Sequence, residues 1–203
     1  MKSKTGLNTV GNYRQSAAAG ALIGFGVVIN SMMINPIVGA VLLSLGLLSI
    51  IELSLPLYNG RIGFYQDKTL VGVFIGNLIG VVTITYLYLC MNPAIHYMLY
   101  DSASVKFSKG FHEMFCAGVL CGMLIHFAVK IKTMPVVVMA VAVFILTGTE
   151  HCIADFPYLV AQPTFDNFVK WLLVILGNSI GAICIEIFTV RNDTNEIRSD
   201  NSK

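Results

Sequence analysis

Long apolar stretches separated by short polar joints dominate the chain. They fall at about Ser16–Met33, Pro36–Leu57, Leu70–Met91, Phe111–Val129, Met134–Val160 and Phe168–Val190. Each is long enough to cross a hydrocarbon layer of roughly 30 Å at about 1.5 Å per helical residue. The pattern therefore predicts an all-α polytopic membrane protein with six transmembrane helices. The fifth stretch is irregular. A polar break of nine residues, Thr147 to Asp155, places Glu150, His151 and Asp155 where a bilayer centre would lie. Ionisable groups are costly at that depth and mark functional sites by default. Unwound backbone survives there only where protein or a water-filled path satisfies it. The second stretch is interrupted as well, since Leu55–Arg61 contains Pro56 and the Asn59-Gly60 pair, which break helices.

The chain also repeats itself. Ala19-Gly20-Ala21-Leu22-Ile23-Gly24 matches Ala117-Gly118-Val119-Leu120-Cys121-Gly122, and Gly76-Asn77-Leu78-Ile79-Gly80 matches Gly177-Asn178-Ser179-Ile180-Gly181. The offsets are 98 (117 − 19) and 101 (177 − 76) residues, in order along the chain. Two three-helix repeats follow, over about 15–91 and 107–190. Span one points outward and span four inward, so the repeats are inverted, and helices two and five are the broken pair. Such an arrangement places a transport site near the midplane. The glycines equally suit close helix packing through small faces.

Composition agrees: 56% of residues are hydrophobic, 12% are charged, and the mean hydropathy is +0.75, far from a soluble domain. Little is left for extramembrane structure beyond an N-terminal segment 1–14 and a polar tail 191–203 around the membrane domain 15–190. The first window is too long for a cleavable signal. With the N-terminus inside, Lys2, Lys4, Arg14, Arg61, Lys68, Lys130, Lys132, Arg191, Arg198 and Lys203 are cytoplasmic, and Lys106, Lys109 and Lys170 are outside. That bias predicts a plasma (inner) membrane protein with both termini cytoplasmic. The five cysteines lie in or beside apolar windows with no CxxC pair. They suit small buried residues better than a metal or disulfide site. No cofactor, metal or nucleic-acid partner is expected; the lipid bilayer is.

His151 is the central candidate, because imidazole changes charge most readily near neutral pH. It could attract a small anion or share a proton with it. His126 reads as a bundle histidine, and His96 and His112 lie near the outer interface. Glu150 cannot share a face with His151, since adjacent helical residues point about 100° apart. An inter-helix or inter-subunit partner is expected, with Lys106 or Lys109 available if Glu150 reaches the outer side. Asp155 is placed to cap a short helix starting near Phe156, or else to set negative charge beside the path. Glu52 and Arg61, nine residues apart across the second break, are expected to form an ion pair, with a pore-facing role as the alternative. Leu43, Leu47, Leu57, Tyr58 and Phe144 are candidates for apolar constrictions around His151, which exclude hydrated ions.

At these residues the chain resembles the formate/nitrite transporter family. The family's span-five signature, roughly G-F-E-H-S-x-A-N, stands here as Gly148-Thr149-Glu150-His151-Cys152-Ile153-Ala154-Asp155. Its span-two loop, roughly E/D-L-F-T, stands as Pro56-Leu57-Tyr58-Asn59. The Ser44-Leu45-Gly46-Leu47 run, Ala117–Val129 and the paired Gly-Asn motifs fit as well, covering about 15–190. The resemblance implies an aquaporin-like protomer, a homopentamer with a pore in each protomer, and passage of small monovalent anions (formate, nitrite, lactate or hydrosulfide), often coupled to protons. It makes His151 the pore histidine, puts Asn59 in place of a loop threonine, and makes Lys106 a vestibule lysine. It puts Leu43, Leu47, Leu57, Tyr58 and Phe144 at constrictions. Four positions depart from the pattern. Gly122 replaces a pore-facing asparagine and would widen the lumen; Pro56 replaces an acid that Glu52 would supply; Arg61 is added to the loop; and Asp155 replaces an asparagine.

Two other readings compete. A six-span substrate-binding subunit of a vitamin or micronutrient importer has about this length, but the twin breaks and the repeat argue against it. An intramembrane enzyme would need a nucleophile motif, an HExxH or paired aspartates, and none is present.

Overall fold

A computed structural model describes residues 7–64 and 68–190. The tail at 191–203 and the start of the 1–14 segment lie outside the described residues. Nine helices are seen among those described: α1 (Leu7–Met32), α2 (Pro36–Glu52), α3 (Tyr58–Arg61), α4 (Thr69–Met91), α5 (Ile95–Phe107), α6 (Phe111–Ile131), α7 (Met134–Leu146), α8 (Phe156–Ala161) and α9 (Phe165–Thr189). The protein is all-α.

Four helices are long and apolar enough to cross a bilayer, over Tyr13–Met32, Thr69–Met91, Phe111–Ile131 and Phe165–Thr189. The two shorter apolar helices, α2 and α7, contain 17 and 13 residues. Both start with proline in the first turn, where the missing N–H would have had no helical partner. Both then unwind and resume as a short helix, α3 after residues 53–57 and α8 after 147–155. Ser54 at φ 53° and Gly148 at φ 67° turn the chain at these exits. Left-handed backbone suits glycine and strains serine, so the second break carries a constraint the fifth avoids.

Helix α1 packs most closely along α4, and α6 along α9. The glycine motifs explain both crossings. A Cβ on Gly20 would lie 2.0 Å from the Asn77 carbonyl oxygen, and one on Gly122 would lie 2.2 Å from the Asn178 carbonyl oxygen. Gly80 against Ala17 (1.9 Å) and Gly181 against Val119 (2.0 Å) repeat the arrangement from the other helix of each pair. Backbone meets backbone, and no side-chain rotation relieves a clash there. The repeated sequence motifs thus build the same helix crossing twice.

Large apolar side chains cover the outside, among them Val71, Ile75 and Ile79 on α4 and Leu172, Leu176 and Ile187 on α9. Together with the apolar spans, such a surface is suited to lipid or to neighbouring subunits.

Replacing Gly20 or Gly122 by alanine should force the paired helices apart and cost at least about 1–3 kcal/mol, the usual penalty for overpacking. Thermal unfolding in detergent checks this. Gly60→Ala is the control, because its Cβ would meet only the Val129 methyl carbons, at 3.3 Å or more. Equal tolerance at all three positions would contradict the crossing described.

Candidate functional site

The two unwound segments meet inside the bundle, each held by one asparagine. Asn77 on α4 accepts from the Tyr58 N–H through Oδ1 (2.9 Å), while its Nδ2 donates to the carbonyls of Pro56 (3.0 Å) and Ser16 (2.8 Å). Asn178 on α9 accepts from the Cys152 N–H (2.9 Å) and donates to the carbonyls of Glu150 and Gly118, both at 2.8 Å. The two amides perform the same task 101 residues apart (178 − 77). Both side chains are fully buried, so every bond they make replaces one that water cannot supply. Two further bonds tie the fifth break to neighbouring helices: the Trp171 indole on α9 donates to the Cys152 carbonyl (2.7 Å), and the Glu150 N–H donates to the Ala117 carbonyl on α6 (3.2 Å). Asn59 joins the two breaks. Its Nδ2 donates to Asn178 Oδ1 at 2.5 Å, and its Oδ1 faces the Cys152 thiol at 3.1 Å.

Beside this junction lies a cavity of about 20 Å³ lined by Ile23, Leu43, Leu47, Ile125, Val141, Phe144, His151 and Ala154. That is room for about one water molecule. His151 is the one polar side chain in the lining. Its Nδ1 accepts the Ala154 N–H at 3.3 Å, which in a neutral ring assigns the proton to Nε2. The Phe144 ring centroid stands 6.1 Å from that of His151. A separate pocket of about 350 Å³ lies at the α3 end, and its lining includes Leu57, Arg61, Lys130 and Lys132.

On the α5 side a charge cluster covers the fifth break. Lys106 pairs with Glu150 Oε2 and approaches Asp155 Oδ1 at 3.1 Å; Lys109 pairs with Glu150 Oε1 at 2.5 Å and also donates to the Gly148 carbonyl. The carboxylates are buried, at 0% and 2% side-chain exposure, while the lysines keep 21% and 29%. The cluster is therefore more open at its cations than at its carboxylates. Lys106 also lies 5.2 Å from the centroid of the Tyr158 ring, whose hydroxyl is hydrogen-bonded to Ser31 at 2.9 Å.

The structure brings together some of the residues singled out from sequence and separates others. His151, Leu43, Leu47 and Phe144 share the small cavity, and Leu57 lines the wide pocket. Tyr58 lines neither cavity: its hydroxyl is hydrogen-bonded to Ser179 and its ring packs edge-on to Phe74. Asn59 acts as a strut between segments and is absent from the lining of either. Gly122 is corrected outright. It sits at the α6–α9 crossing against Asn178, so its missing side chain serves helix contact and does not widen a lumen.

The Glu52–Arg61 pair does not form. Glu52 ends α2 exposed, and α3 turns Arg61 into the pocket with Lys130 and Lys132. Asp155 precedes α8 but makes no capping hydrogen bond; its carboxylate goes to Lys106 instead. His126 is half satisfied, with Nε2 on Glu186 at 2.8 Å and Nδ1 buried without a partner.

Sequence reasoning missed the roles of Asn77 and Asn178, noticing them only as repeat markers, and missed Ile23, Ile125 and Val141 as wall residues. The signal for the asparagines was present: a buried amide one residue after a packing glycine, twice.

Comparisons with known proteins agree with this architecture. A profile of the formate/nitrite transporter family matches residues 1–191. A structure described as a pentameric formate channel with formate bound superposes with a TM-score of 0.76 at 18% identity, covering 91% of this chain and 97% of that one. Another, described as an FNT family ion channel, gives a TM-score of 0.75 at 20% identity, with 87% of each chain covered. Among curated proteins no sequence match is found. Over nearly its whole length, the chain belongs to the formate/nitrite transporter family, whose members are transporters and channels, not enzymes.

Proposed function

We propose that each protomer conducts small monovalent anions of the formate, nitrite, lactate and hydrosulfide class, together with protons, past His151. The observation that supports this reading is a small apolar cavity with a single imidazole on its wall, in a bundle that also holds a lysine–carboxylate cluster at the fifth break and a wide basic pocket at α3. A bare anion crossing so narrow an apolar space loses its water at high cost. The conjugate acid does not. His151, anchored through Nδ1, presents Nε2 to the passing group; it attracts the anion and holds the proton that neutralises it. Lys106 and Lys109 gather anions on the α5 side.

The same reading makes residues 15–190 a six-span channel domain of two inverted repeats. It assigns the α5 side to the outside of the plasma membrane and both termini to the cytoplasm, as the distribution of basic residues favours. It also makes the assembly a homopentamer, the state of the structurally similar formate channel. The exposed apolar faces of α4, α8 and α9 leave room for subunit and lipid contacts.

Stopped-flow uptake into proteoliposomes across a panel of weak-acid anions, at two external pH values, tests the function. Uptake should be faster at the more acid outer pH. His151→Asn should lower saturating uptake by on the order of 100-fold, the scale of a lost proton-transfer group. A variant with the wild-type rate and pH profile would remove the proton role from His151.

The apolar ring makes a separate prediction. Phe144→Ala should enlarge the constriction and admit hydrated ions, turning an electrically silent wild type into one with steady chloride current across a planar bilayer. If the variant passes no current while still transporting weak acids, Phe144 is not the barrier.

A further inference from the structure

The vestibule holds one carboxylate more than a simple anion-attracting site needs. Glu150 is fully paired, with Lys106 on one oxygen and Lys109 on the other. Asp155 is different. It is 1% exposed, and its carboxylate meets an ammonium on one oxygen alone, Oδ1, 3.1 Å from Lys106. Among the described residues Lys106 is the only cation paired with it. Asp155 thus shares a cation already engaged by Glu150. The titratable groups facing it are Lys106 from α5, Glu150 and Cys152 from the break, Cys121 from α6 and Tyr158 from α8; His151, four residues earlier, receives the Asp155 N–H on its carbonyl.

Charge counting then decides what an arriving anion does. With Lys106, Lys109, Glu150 and Asp155 all ionised, the formal charge of the cluster is zero (two cations, two anions). An anion captured at Lys106 leaves a buried site with one negative charge in excess. It also competes with Asp155 for the same ammonium. Two carboxylates and an anion crowded around one lysine repel strongly at short range and low dielectric. Taking up one proton on Asp155 restores neutrality. It also turns the Asp155 carboxylate into a donor able to hydrogen-bond Glu150 or the anion.

We propose that Asp155 is the proton acceptor of this vestibule, and that one proton on its carboxylate accompanies each monovalent anion captured by Lys106. The proton comes from solvent on the α5 side, converting the carboxylate to the carboxylic acid. When the anion moves on toward the apolar cavity the proton goes with it as the conjugate acid, and the Asp155 carboxylate re-forms. Ala154, the preceding residue, already lines that cavity, so the transfer is local. The inference rests on the anion-conducting function proposed above and adds to it a site of proton capture upstream of His151.

Nitrate is the useful probe, because it stays an anion throughout the working pH range and cannot carry its own proton. Nitrate binding to the purified full-length protein is followed by calorimetry, and proton uptake by a pH indicator in weakly buffered detergent solution. Wild type should take up about one proton per nitrate, so that its apparent affinity falls about tenfold per pH unit over the linked range. Asp155→Asn should bind nitrate with no proton uptake and little pH dependence, while Glu52→Gln, at an exposed carboxylate ending α2, keeps the wild-type stoichiometry. Infrared difference spectra of the wild type need no variant: adding nitrate should raise a protonated-carboxyl C=O band.

Proton uptake that persists in Asp155→Asn, or a wild type without the carboxyl band, overturns the assignment. A wild type that transports formate but takes up no proton with nitrate overturns this inference alone. A wild type that transports no weak-acid anion overturns it together with the function on which it rests.

Discussion

Two buried amides carry the structural burden of this protein. Asn77 and Asn178 each spend one oxygen and both amide hydrogens on unwound or close-packed backbone. Helical spans need no such help, since their backbone satisfies itself. A broken span does, and each buried group left unpaired costs about 1–3 kcal/mol. The rest of the architecture follows from this constraint. The asparagines reach the breaks only because α4 and α9 lie almost against α1 and α6, and glycines make that approach possible at Gly20, Gly80, Gly122 and Gly181.

Unwinding in turn gives the protein side chains where a continuous helix would have none to spare. In the fifth break, successive residues point to different partners: Glu150 to the lysines, His151 to the cavity, Cys152 to Asn59, and Asp155 to Lys106. Charge and passage are thereby separated. Charged side chains gather at the α5 end, and the small cavity is apolar except for one imidazole. Under the proposed function this arrangement has a direct chemical use: it favours solutes that can change protonation state on the way.

Much of this was legible in the chain. Hydropathy windows located the long helices, and a polar run inside an apolar stretch located the fifth break. The paired Gly-Asn motifs pointed to two related halves. Glu150 and His151 do point to different partners, but on unwound backbone, where the helical spacing behind that expectation does not apply. What escaped was long-range. Nothing near Gly122 in sequence says that Asn178 lies against it, so a residue required for helix contact looked like a missing pore group. Glu52 and Arg61 are close in sequence, yet the turn at Ser54 sends them to different surroundings. Asp155 occupies a standard capping position, but the nearby Lys106, 49 residues away in the chain (155 − 106), offered its charge a stronger partner than a helix terminus. Tyr58 and Asn59 stand beside the expected path and are drawn off by Ser179 and Asn178.

The central claim is that anions pass through the small cavity beside His151, between the two unwound segments. Cysteine accessibility tests it most directly. With the exposed Cys90 and Cys116 replaced by serine, Ala154→Cys puts a thiol on the cavity wall. A small anionic thiol reagent should then arrest formate uptake into proteoliposomes, and formate present during labelling should slow the arrest. Full modification of that thiol with uptake undiminished would put the path elsewhere and contradict the account.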